Sequence, residues 1–300
     1  MRPIRLLLIF FVAVFVGGAL LAPGLYALAR AGADHFPSLT SLAGQPFHRF
    51  VARSCLGLAV IGLWPLLRAL GLASRQELGL RGPRKLKNLG LGFLLGFGSL
   101  AVVAALDVAS GARAFNLAHP AAEIAKQVFG AVLTAVIVAV LEEILFRGAL
   151  YGGLRKTLLW PVALLISSAL YASLHFLGRA EMTGDMHWYS GLAILPAMLQ
   201  GLVDPAQLVP AFFTLTVAGL ILGLSYQRTG TLYLSMGLHA GWIFWLKFYK
   251  FITMPGPHAP ASIWGTDKFI DGWVAVSILA GVLVLVAVWP IHQKGGGTWR

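Results

Sequence analysis

Apolar runs divide this chain more clearly than any other feature. Residues 6–29 carry no charge, and a helix that crosses a bilayer needs about 20 such residues. Residues 54–67 form a shorter run, but Arg53 and Arg68 flank it, and arginines at span ends reach back to the interface. Six more runs follow, at 88–106, 127–141, 157–174, 205–227, 229–246 and 272–291. The pattern predicts an all-α polytopic bundle of about eight membrane helices. The fourth run leads straight into Glu142 and Glu143, and the fifth ends at His175. Residues 188–203 are also uncharged, but Pro196, Gln200 and several glycines interrupt them. This stretch reads as an interfacial or re-entrant piece. The expected organisation is three N-terminal spans over 1–126, a core over 127–250, and a loop with the last span over 251–300.

Composition agrees with a bilayer as solvent. Of the 300 residues 58% are hydrophobic and 11% charged, against roughly 25% charged in a soluble domain; the mean hydropathy is +0.80. The net charge of +12 raises nucleic acid as a partner. The basic residues instead cluster beside the apolar runs, as the positive-inside rule requires, so the partner expected is the lipid bilayer and no nucleic acid. Arg2 and Arg5, then Arg75, Arg81, Arg84, Lys85 and Lys87, then Arg155 and Lys156, Arg228, and Lys294 and Arg300 all fall on one side of an eight-span topology. That side is the cytoplasm, with both termini inside, and the setting expected is a bacterial inner membrane. Lys247 and Lys250 dissent, while Glu181, Asp185 and Asp204 lie in opposite loops. The first run, at 24 residues, exceeds the 7–15 of a signal-peptide core and reads as a retained anchor despite the Ala27-Leu28-Ala29 sequence. The single cysteine, Cys55, excludes an internal disulfide and reads as a small apolar packing residue.

Ionisable groups inside a span cost at least a few kcal/mol each and persist where they are paired or used. Glu143 and Arg147 are four apart, so a helix puts them on one face as a self-neutralising pair. Glu142 is turned about 100° away and lacks that partner, which suits a general base; a structural charge cluster at a helix end explains the same residues equally well. His175 ends the fifth run, and His239 lies within the seventh. One histidine in an apolar helix is usually a hydrogen-bonded core residue. Two of them with a double glutamate, on three spans, suit either a water held between carboxylate and imidazole or a Zn²⁺ ion bound by Glu142, His175 and His239. His35, His48, His119, His187, His258 and His292 receive no role. The pairs Gly92/Gly96 and Gly219/Gly223 have the spacing that lets membrane helices approach closely. No internal repeat is evident, which argues against a transporter using the same glutamates.

Together, Glu142-Glu143-x-x-x-Arg147, Tyr171-x-x-x-His175, Gly219-x-x-x-Gly223-x-x-Tyr226-x-x-Thr229-Gly230 and His239 resemble the CAAX-protease and bacteriocin-processing family of intramembrane proteases, the type II CAAX endopeptidases. The resemblance spans about residues 128–245. It implies an eight-helix membrane endopeptidase acting on a membrane-associated or prenylated-like peptide, with Glu142 activating water, His175 and His239 assisting, and Glu143 and Arg147 holding the architecture. The family has been described both as metalloprotease and as metal-free glutamate protease. Two positions depart from it. Tyr171 stands where the family usually has Phe, and Ile243 stands where it usually has Asn one turn after the second histidine. An Asn there would donate to an oxyanion, so the nearest candidate for a replacement donor is Ser235, four residues before His239 on the same face, and the second is Tyr171, one turn from His175. The rival reading is an impaired member acting as a membrane scaffold or immunity protein.

Overall fold

The computed structural model describes residues 2–178, 180–182, 184–199, 205–256 and 260–289. Gln200, Asp204, His258, His292, Lys294, Arg300 and the end of the eighth apolar run lie outside the described residues. The protein is a helical membrane protein, and each of the eight runs falls on a helix. The order is α1 (Arg2–Ala33), α2 (Thr40–Ala43), α3 (Phe47–Ala69), α4 (Lys85–Ala109), β1 (Arg113–Phe115), α5 (Ala121–Glu142), a π-helix (Glu143–Tyr151), α6 (Gly152–Leu154), α7 (Trp160–Leu174), α8 (Ser190–Leu199), α9 (Pro205–Thr229), α10 (Tyr233–Ile252), β2 (Thr253–Pro255), α11 (Ala261–Trp264) and α12 (Trp273–Val288). Among the described residues, five helical stretches are long and apolar enough to cross a membrane: Arg2–Ala33, Phe47–Ala69, Lys85–Ala109, Ala121–Leu154 and Leu208–Thr229. α7 and α12 are shorter apolar helices, and α10 carries His239, Lys247 and Lys250. Pro23, Pro65 and Pro210 sit inside α1, α3 and α9, as membrane helices tolerate.

The chain forms two compact units. The first is Met1–Gly71 with Phe176–Val203. In it α1 lies along α3 and α8. Gly18 presses on the Cys55 backbone and Gly191 on that of Ala19, so neither position has room for a side chain. Tyr26 packs edge-on against Phe47 and Phe50. α8 has ten residues, about 15 Å of helix, too little for a hydrocarbon core of about 30 Å.

The second unit is Leu72–His175 with Asp204–Arg300, and α10 is its hub. α10 packs on α4, α5 and α9, over a core of Leu100, Val103, Ile221, Leu222, Leu238 and Leu279. Its contact with α4 is backbone on backbone. Gly92 and Gly96 of α4 meet the carbonyls of Leu234 and Leu238, while Gly237 and Gly241 of α10 meet the backbone of Leu89, Phe93 and Phe97. Helices without side chains at the seam approach this closely. His239 is two residues from each α10 glycine, so it is turned about 200° from them and faces away from α4. Gly241→Leu is therefore expected to force the two helices apart and carry His239 with α10. The expected cost is at least the 1–3 kcal/mol of an overpacked core, read as a lower melting temperature in detergent together with loss of activity.

The strands were not foreseen. β1 and β2 pair antiparallel, Arg113 opposite Pro255, and tie the α4–α5 connection to the end of α10. A polar cluster fixes this corner: the Tyr249 hydroxyl donates to the buried Asp107 carboxylate, Arg113 donates to Thr253, and Arg113 and Lys250 each reach Asp267 at 2.8 Å. Those two cations, Lys250 first, hold the Asp267 carboxyl below its ordinary range.

Candidate active site

The acidic pair sits where the helix changes form. α5 ends at Glu142, and the chain continues without a break as a π-helix from Glu143 to Tyr151. Hydrogen bonds from i to i+5 are rare and cluster at functional sites. Here the glycines serve contact: Gly148 meets the Leu78 side chain and Gly152 that of Leu72. Most of the segment is buried, including Glu143, Phe146, Arg147 and Tyr151.

Arg147 Nη1 donates to Glu143 Oε1 at 2.8 Å, both side chains being almost fully buried. The guanidinium also lies 4.6 Å from the Tyr171 ring centroid and makes a longer contact to the Gly219 carbonyl. Glu143 Oε1 accepts a second bond, from His239 Nδ1 at 2.9 Å. A carboxylate only accepts, so Nδ1 carries the hydrogen and Nε2 of a neutral His239 is left as a lone pair. His175, which caps α7, repeats the arrangement. Its Nδ1 lies 2.8 Å from the backbone carbonyl of Tyr171, which again only accepts.

Both Nε2 atoms point at one oxygen. Glu142 Oε2 is 3.7 Å from Nε2 of His239 and 3.9 Å from Nε2 of His175. That oxygen is buried, with no hydrogen-bond partner among the described residues, although the Glu142 side chain as a whole is 27% exposed. The site is thus reachable through Glu142, while Glu143 behind it is sealed. The Tyr171 hydroxyl completes the group, 3.3 Å from His239 Nε2. Ser235 is fully buried, donates to the Leu232 carbonyl at 3.0 Å and lies beside Glu143. Ile243 stands apart, packed with Ala135 and Ala139 in the seam between α5 and α10.

The sequence places Glu142, His175 and His239 on three helices, and the fold brings their polar atoms to one point. The bond from His239 to Glu143, across 96 positions, is invisible in the sequence, where Glu143 has only Arg147 as a visible partner. The donor types suit a metal: a lone pair on each imidazole, with each Nδ1–H held by a carboxylate or a carbonyl, is how zinc-binding histidines are usually oriented. The spacing is more open than that chemistry needs. Ligand atoms at zinc's bond lengths and tetrahedral angles lie about 3.3 Å apart, and among the described residues no three His, Cys, Asp or Glu side chains stand close enough to hold a metal ion.

Residues 124–245 match the family model described as type II CAAX prenyl endopeptidase Rce1-like. No curated protein and no solved structure matches the chain. The matched segment includes Glu142, Glu143, Arg147, Tyr171, His175 and His239. Over residues 124–245 the chain is therefore similar to the type II CAAX prenyl endopeptidases.

Proposed function

We propose that this protein hydrolyses a peptide bond of a membrane-associated, prenylated-type substrate with a water activated by Glu142. The observation that carries this reading is the convergence of both Nε2 atoms on the unpartnered Glu142 Oε2. Separations of 3.7 and 3.9 Å are too long for direct hydrogen bonds and suit two bonds of about 2.8 Å to a shared water. Such a water gives one hydrogen to Glu142 and the other to an imidazole. Glu142 then takes its proton as the water oxygen attacks the scissile carbonyl carbon, and the carbonyl π pair moves onto oxygen. On collapse the C–N bond breaks, Glu142 returns the proton to the leaving amine, and a carboxyl and an amine result. His239 is kept in the required tautomer by Glu143, which Arg147 neutralises. A zinc ion could be held by Glu142, His175 and His239 only after they closed in on one another, and would then supply Lewis-acid polarisation. The lysine and arginine bias supports both termini inside.

The test is cleavage of an S-farnesylated CaaX reporter peptide by the purified protein in proteoliposomes, with and without dialysis against a chelator. Cleavage that survives the chelator, with no stoichiometric zinc by elemental analysis, is the expected result. Stoichiometric zinc that disappears in both His175→Ala and His239→Ala would replace the water-only centre with a metal centre. A wild type that leaves the reporter intact would support the scaffold reading.

A further inference from the structure

We propose that the Tyr171 hydroxyl is the donor that stabilises the oxyanion formed on the scissile carbonyl. This rests on the peptidase reading above. Hydrolysis puts negative charge on the carbonyl oxygen, and a preorganised donor aimed at that position supplies much of the rate. The site offers few such groups. Arg147 is engaged with Glu143 and the Tyr171 ring face. The single hydroxyl proton of Ser235 serves the Leu232 carbonyl or the adjoining Glu143 carboxylate. Both histidines have their Nδ1–H committed and present Nε2 as acceptors. Ile243 has no polar side-chain atom and fills the α5–α10 seam. Tyr171 remains, with its oxygen 3.3 Å from His239 Nε2.

Its ring is held on three sides. Phe146 packs edge-on with centroids 5.0 Å apart, His175 lies at 4.4 Å, and Arg147 sits over the face. The side chain is 3% exposed, and a hydrogen bond formed there is stronger than one in water. The bond to His239 is long, so little holds the proton in that direction. Once His239 Nε2 accepts from the attacking water, its lone pair is taken and the phenol proton turns to the nearest new acceptor, the oxyanion. Tyr171 keeps its proton throughout. It donates a hydrogen bond while the C–O bond to water forms, and releases it when the carbonyl double bond returns and the C–N bond breaks.

Tyr171→Phe keeps the ring and removes only the hydroxyl. With the farnesylated reporter in proteoliposomes, turnover is expected to fall about 10²–10³-fold with KM little changed and melting near wild type. A matched reporter with a thioamide at the scissile bond separates a catalytic donor from one that only positions His239, because sulfur is a poor hydrogen-bond acceptor. The wild type should strongly favour the amide over the thioamide, and Tyr171→Phe should lose most of that preference. Equal preference in the two proteins, or wild-type turnover in the variant, would overturn the proposal. Should the variant fail to fold, a wild type showing no more preference for the amide than uncatalysed hydrolysis does would overturn it alone. A wild type inactive on both reporters would take down the peptidase reading first, and this proposal with it.

Discussion

Glu142→Gln is expected to lower cleavage by roughly 10²–10⁴-fold, the range for a lost general base, while the protein melts in detergent as the wild type does. The asymmetry follows from the environment of the side chain. Among the described residues Glu142 has no lysine or arginine partner and its Oε2 no hydrogen bond, and part of the side chain is exposed. A neutral amide of the same shape therefore breaks no ion pair. It does lose the ability to take a proton, and its NH₂ group offers donors where the water needs an acceptor. A variant with wild-type cleavage would assign the base elsewhere. A variant that fails to fold would make Glu142 a structural residue.

Glu143→Gln should behave in the opposite way. Glu143 is fully buried, and its Oε1 carries both Arg147 and His239. Removing its charge leaves a guanidinium buried without a counter-ion, which typically costs 3–5 kcal/mol. It also loosens the His239 tautomer, so activity falls together with stability. The double variant Glu143→Gln with Arg147→Met should recover much of the melting temperature, since no stranded cation remains, without recovering turnover. Thermal melting in detergent beside the cleavage assay checks both. A Glu143→Gln protein as stable as wild type would mean that the Arg147 charge is satisfied elsewhere.

Much of the fold was legible because a bilayer imposes a single rule on a spanning chain. Backbone groups in hydrocarbon must be satisfied within the segment, so an uncharged run of sufficient length becomes a helix, as residues 6–29 and 88–106 do in α1 and α4. The same rule makes Glu142, His175 and His239 conspicuous. Other features were not legible. The π-helix at Glu143–Tyr151 packs its glycines against Leu72 and Leu78, and no local composition signals it. The β1–β2 pair joins segments 140 positions apart. The Glu143 bond to His239 depends on α10 being seated by four glycines. Of the four, Gly92 and Gly96 were visible as a close-packing pair, but the α10 face that this seam turns toward Glu143 was not. On spacing Ser235 was the nearer candidate donor and Tyr171 the second; the engagement of Ser235 with the Leu232 carbonyl and the place of the Tyr171 hydroxyl beside His239 Nε2 are what favour Tyr171 in the proposal above.

The most direct test of a water-activating Glu142 centre is product analysis in H₂¹⁸O. Purified wild type and Glu142→Gln are incubated with the S-farnesylated CaaX reporter, and the fragments are identified by mass spectrometry. The wild-type reaction is expected to show one cleavage site and one ¹⁸O atom in the new carboxyl group, and Glu142→Gln no product above background. Equal product from the two proteins, or none from a correctly folded wild type, would contradict a water-activating Glu142.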